Sequence, residues 1–384
     1  MKRTQLIPVG WTALAIVASV ILPCQSETVA IPELDSKGDV YKTEGANDPL
    51  IYDSAVGRKK VIMLYADFSD AEMKVDTQER AKIVLGEGKF QELFAEQSYG
   101  KLSFDIEHVA GWRRLSKSHK KYSSKTTDSH RTLFVEIFSL YPKVDFLAYD
   151  YIMVNMPRIG NTAFGERDDI AIPYKGKKIK VALNISSGSP YVLVHETAHC
   201  MGLPDLYSYG DAKGPGNPTG PWDIMSAAGK ASGFLGWHRH KLQWLDADRK
   251  TYLVEGKHQF KLTSLNGSSG VSMIAVPVDD PSKPSKVFVV ELAQPIRVRG
   301  KVGTATGVLV YSVDAKLASG QNSVVVYPKG DLLNAPFQPG DRFAHQDAAF
   351  DVKVLKKEKD GSYLIEVDVQ AGTRADAGIK KDAP

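Results

Sequence analysis

Tyr191-Val192-Leu193-Val194-His195-Glu196-Thr197-Ala198-His199-Cys200-Met201-Gly202-Leu203-Pro204-Asp205 is the stretch around which the rest of this chain is arranged. The apolar run Val192-Leu193-Val194 passes into charged residues without a turn signal, and the pattern predicts a buried helix over 190–201. On such a helix His195 and His199 stand four residues apart on one face, so both imidazoles can reach one metal ion. Two histidines and a glutamate on a buried helix need partners, which argues against a solvated surface helix. Gly202 ends the helix where a left-handed turn is needed. The chain then swings back, and Asp205 arrives where a third ligand belongs. The complete pattern is H-E-x-x-H-x-x-G-x-x-D. Two imidazoles and a carboxylate suit zinc, and three protein ligands leave a fourth position for water. Glu196 is not expected to be a ligand. It stands one residue beyond His195, within reach of that water, and is the expected general base and then acid.

The surrounding residues add weaker signals. Trp222-Asp223-Ile224-Met225-Ser226 offers a candidate Met-turn, with Met225 packed under the metal site 20 residues after Asp205. Tyr207 and Tyr209 are candidate oxyanion donors. Cys200 falls between the ligands but points off their face, as a small buried residue would. His238 and His240, near Trp237 and Trp244, read as surface or structural residues. The cluster Glu166, Asp168, Asp169 offers a calcium site, although a solvated loop is the preferred reading.

The run His195–Tyr207, HETAHCMGLPDLY, resembles the zinc motif of the immune inhibitor A-type secreted metallopeptidases, a metzincin-like family. The resemblance extends to Gln97-Ser98-Tyr99-Gly100-Lys101-Leu102-Ser103-Phe104, to Trp222–Ser226, and to Leu235-Gly236-Trp237 with Leu242-Gln243-Trp244-Leu245. It covers residues 58–250. Thr197, Cys200 and Gln243 depart from the residues usual in the family, and none of them is a ligand. The resemblance implies an endopeptidase, with Met225 as the Met-turn and a calcium requirement in some members.

The N-terminus has the layout of a secretory signal peptide over 1–26: Lys2 and Arg3, the apolar stretch Trp11–Leu22, then small or polar residues. The apolar run is too short to span a membrane comfortably, so no stable anchor is expected. Cys24 raises a lipoprotein alternative, which the preceding Pro23 disfavours. Cleavage after Ser26 leaves Cys200 as the single cysteine and allows no internal disulfide. Residues 27–57 are polar and turn-rich, an expected leader or short pro-segment. Within 58–250, strands are expected at 60–68, 102–109 and 151–156, with a hairpin or edge pair over 170–184. Helices are expected over 76–98, split at Gly86 and Gly88, and over 129–141. Beyond 250, short β-rich runs separated by Gly, Pro, Asn and Asp predict an all-β, sandwich-like module to residue 370. Residues 371–384 read as a disordered tail. The expected fold class is therefore α/β (α+β), a metzincin-like zinc peptidase domain followed by an all-β sandwich-like module.

With 384 residues, 43% hydrophobic and 24% charged, the chain can bury a sizeable core. Its net charge of +4 is scattered, with no basic run interleaved with aromatics, which argues against a nucleic-acid partner. The expectation is a secreted monomer whose partner is an extracellular protein or peptide substrate. One rival is a secreted binding or adhesion protein with a structural metal site and a β-sandwich binding module. Another is a metal-dependent hydrolase of non-peptide substrates. Glu196 separates the first rival from an enzyme, because a structural site has no use for it.

Overall fold

The computed structural model describes residues 30–36, 42–49, 51–122, 127–157, 164–166, 172–179, 182–185, 188–210, 216–231, 233–293, 296–298, 301–303, 306–345 and 349–370. The signal peptide, Cys24, Asp168, Asp169 and the tail after 370 lie outside the described residues.

The strand Gly57–Phe68 organises the N-terminal half. Its side chains alternate between two cores: Val61, Met63 and Tyr65 enter one, and Ile62, Leu64, Ala66 and Phe68 the other. A strand buried on both faces carries a continuous apolar run, as strands of covered parallel sheets do. It pairs in parallel with Leu102–His108, Arg113–Leu115 and Tyr151–Asn155. Tyr151–Asn155 pairs in parallel with Ala182–Ile185, and Phe164–Glu166 adds an antiparallel edge. The helices Thr77–Leu85, Lys89–Gln97 and Pro190–Cys200 pack into the first core, and Thr127–Ser139 into the second. The first two helices part where Gly86 and Gly88 take φ of +60° and +102°. The hairpin over 170–184 is shorter than expected. Ile172–Tyr174 pairs with Lys177–Ile179 across Lys175-Gly176, while Ala182–Ile185 joins the main sheet.

Beyond residue 250 two sheets stack. One runs Val324–Val326, Gly307–Asp314, Lys286–Ala293, Met273–Pro277, Lys250–Tyr252; the other runs Gly256–Leu262, Tyr363–Val369, Phe350–Lys357, Arg342–His345. Ile274, Val276, Phe288 and Val290 share a core with Val352 and Ile365 of the facing sheet. Their neighbours along the same strands, Met273, Ala275, Val287 and Val289, belong instead to the core that holds the helix Pro190–Cys200. Period-two alternation thus gives one sheet two buried faces, and a single hydrophobic core crosses residue 250. Ile31 and Leu34 enter that core too, so the leader lies packed against the folded chain. The result is an α+β fold. No helix among the described residues is long and apolar enough to cross a membrane.

Candidate metal centre

The helix Pro190–Cys200 begins with proline, whose missing N–H would have had no partner in the first turn. Leu193 and Val194 are anchored in the shared core, each burial stabilising by about 1.5–3 kcal/mol. His195, Glu196 and His199 are thereby held with one ligand atom each, all within 4.8 Å of one another. The helix stops in a Schellman arrangement: Gly202 N donates to His199 O at 3.0 Å and Leu203 N to Ala198 O at 3.1 Å. Gly202 has φ +91°, and a Cβ there would lie 2.3 Å from Asn47 Oδ1. Glycine is required both for the turn and for the approach of the leader.

The returning chain carries Asp205 to the imidazoles. Asp205 Oδ1 lies 3.0 Å from His195 Nε2 and 3.3 Å from His199 Nε2. Each ring is oriented from behind: His195 Nδ1 donates to Ile224 O at 3.0 Å, and His199 Nδ1 to Leu203 O at 2.7 Å. Those bonds turn Nε2 of each ring toward Asp205. Neither inward contact is a well-aligned hydrogen bond, and Asp205 Oδ1 is buried without a hydrogen-bond partner. His195, Glu196 and His199 could hold a metal ion, and two imidazoles with the carboxylate of Asp205 beside them are a donor set that fits a divalent one. Burial opposes charge on all three groups. Even so, Asp205 and Glu196 push His195 up to about 9, and the two imidazoles hold Asp205 well below its ordinary value. Burial and the charge of Lys42 push His199 down.

Asp205 is held from the C-terminal half. Asp205 N donates to Ser319 Oγ at 2.9 Å, and Gly320 N donates to Asp205 O at 3.0 Å. Tyr209 Oη donates to Asp205 Oδ2 and lies 3.0 Å from Ser319 Oγ. Tyr209 is thus engaged with the Asp205 carboxylate. Tyr207 stacks its ring on His195, with centroids 6.4 Å apart. Burial and the charge of Asp205 push both phenols up, so both remain protonated at neutral pH. Nothing in the sequence marks Ser319 or Gly320, which lie more than a hundred residues from Asp205.

Met225 sits under the ligand loop, fully buried, with its carbonyl accepting from Leu206 N at 3.1 Å. Cys200 is buried, and its Sγ donates to Glu196 O at 3.6 Å. His238, read as surface or structural, is not on the surface: it is 1% exposed. Its Nδ1 lies 2.9 Å from Asp223 Oδ2, and its Nε2 lies 3.2 Å from Glu44 Oε1. Glu44 belongs to the leader, 194 residues away, so local sequence gives no hint of the pairing. His240 is half-buried, its ring 5.3 Å from that of Trp237.

No protein-family model matches this chain, and no curated protein matches it. Among solved structures, a chain from the structure of a chaperone-substrate complex is 15% identical with a TM-score of 0.24. That alignment covers 41% of this chain and only 25% of that one. The crystal structure of wild-type OgpA from Akkermansia muciniphila is 12% identical with a TM-score of 0.29, covering 75% of this chain and 88% of that one. At these scores neither likeness bears on fold or activity.

Proposed function

We propose that this chain is a secreted, zinc-dependent endopeptidase of metzincin-like build, hydrolysing peptide bonds in extracellular proteins. One observation carries the reading: His195 Nε2, His199 Nε2 and the unpartnered Asp205 Oδ1 converge on a buried point beside Glu196. The donor set suits zinc with one position left open. Bound zinc lowers the pKa of water toward about 7 and polarises a carbonyl oxygen. The chain's own groups do the rest. Ile224 O and Leu203 O fix the tautomer and direction of the two imidazoles. Tyr209 and Ser319 fix the carboxylate of Asp205. Glu196 accepts a proton from the attacking water and returns it to the leaving amine. The glycine turn at 202, the buried Met225 and the resemblance of HETAHCMGLPDLY to immune inhibitor A-type enzymes support the metzincin-like assignment. The charged, apolar, then small-residue order of the N-terminus supports export.

Zymography on casein or gelatin, with and without chelator, tests the activity. The variant pair Glu196→Gln and Asp205→Asn tests the roles. Glu196→Gln should keep its zinc and lose about 10²–10⁴-fold in proteolysis, whereas Asp205→Asn should lose zinc itself. Near-normal proteolysis by Glu196→Gln, or a wild-type protein that takes up no zinc, would sink the reading.

A further inference from the structure

The leader reaches the metal centre by an indirect route. Glu44 is 1% exposed, and its Oε1 accepts from Ser323 Oγ at 3.3 Å and pairs with His238 Nε2. His238 passes the contact to Asp223, which is fully buried. Asp223 in turn shapes the turn beneath the site: Oδ1 accepts from Met225 N at 2.7 Å and Oδ2 from Leu235 N at 2.8 Å. That turn presents Ile224 O to His195 and Met225 O to Leu206 N of the ligand loop. A continuous line of polar contacts therefore runs from Glu44 to the ring of His195.

Glu44 and Asp223 flank His238 on either side, and Lys241 Nζ donates to Thr43 O. Removing the Glu44 carboxylate takes away the group that faces His238 Nε2 in a fully buried setting. The same stretch of chain also touches the end of the metal helix. Asn47 Nδ2 donates to Met201 O at 2.7 Å and Asp53 N to Cys200 O at 3.3 Å. Ala55 O accepts from Trp244 Nε1 at 2.7 Å. Ser319, which holds Asp205, donates its N–H to Lys42 O at 2.9 Å. A segment shed on activation would strip all of these contacts from the ligand helix and its supports.

We propose that Glu44 is a positioning residue for the metal centre, acting through His238 and Asp223 on the turn that orients His195, and that residues 42–55 remain part of the active enzyme. The proposal rests on the zinc peptidase reading. Two measurements on the purified, full exported protein test it. The first is N-terminal sequencing and intact mass of the proteolytically active species, which should begin at or before residue 42. An active species that begins after Ala55 overturns the proposal. The second is zinc affinity by competition with a chromophoric chelator, together with the visible spectrum of the cobalt-substituted protein. Outer partners of metal ligands typically matter about 10–100-fold in affinity. Glu44→Gln should therefore weaken zinc binding about tenfold and shift the cobalt bands, with Glu44→Asp in between. If Glu44→Gln does not fold, Glu44→Asp decides by the same readouts. A folded variant with wild-type zinc affinity and an unchanged cobalt spectrum shows Glu44 to be structural only and overturns the proposal. A wild-type protein that binds no zinc overturns the functional reading first, and the two failures are thereby told apart.

Discussion

At His195, His199 and Asp205 the inward-facing atoms meet one another without well-aligned hydrogen bonds, and each imidazole is tied at its other nitrogen to a backbone carbonyl. At His238 both ring nitrogens face carboxylates, Asp223 on one side and Glu44 on the other. The two clusters use the same residue types, are buried in the same part of the chain, and are joined by the turn at 223–226. They differ in what they leave open. A ring whose second nitrogen is held by a neutral carbonyl keeps a lone pair for a metal, whereas a ring between two carboxylates is held as a cation.

The largest test of that contrast sets His195→Ala against His238→Ala. His195→Ala should lose zinc and proteolysis outright while keeping the fold. His238→Ala leaves Glu44 and Asp223 buried without the cation between them, and in chelator-treated protein it should lower stability by about 3–5 kcal/mol. His195→Ala should have a smaller effect on that apo stability, because Asp205 keeps Tyr209 and His199. Urea unfolding of both apo variants reads the difference, and equal losses would erase the distinction between the clusters.

A smaller effect is expected at Ser319. Ser319→Ala removes the acceptor for Asp205 N and a partner of Tyr209 Oη. Zinc affinity by chelator competition should drop about tenfold, the low end for a group behind a ligand, with far-UV circular dichroism unchanged. Wild-type affinity would show that the C-terminal half does not support the site.

The smallest effect concerns pH. Burial disfavours the charged form of His238, yet Asp223 and Glu44 push it up to about 10 from an ordinary 6.5. A base whose folded value is raised contributes stability that is complete below 6.5 and is lost as pH rises through about 10. Lys241, pushed down to about 8 by burial, contributes with the opposite sign over the alkaline range. Comparison with His238→Gln isolates the first term: from pH 7 to pH 10, apo wild-type protein should lose more stability than this variant. A parallel pH dependence in the two proteins would show that His238 is not held as a cation.

Much of this protein was decided locally. The apolar run before His195, the four-residue histidine spacing and the glycine at 202 set a buried helix, one ligand face and a left-handed stop, because each depends on contacts a few residues apart. The same holds for the two-faced apolar strand Gly57–Phe68 and for the alternating strands after 250, whose period announces a sheet. What only the tertiary structure decided is which distant groups stand behind those residues. Ser319 behind Asp205, Glu44 behind His238, and one core running through residue 250 all join segments with no shared period. A side chain's partner across a hundred residues leaves no mark on its own neighbourhood in the sequence. His238, which beside a tryptophan reads as surface or structural, is buried where two carboxylates converge on it when the chain folds.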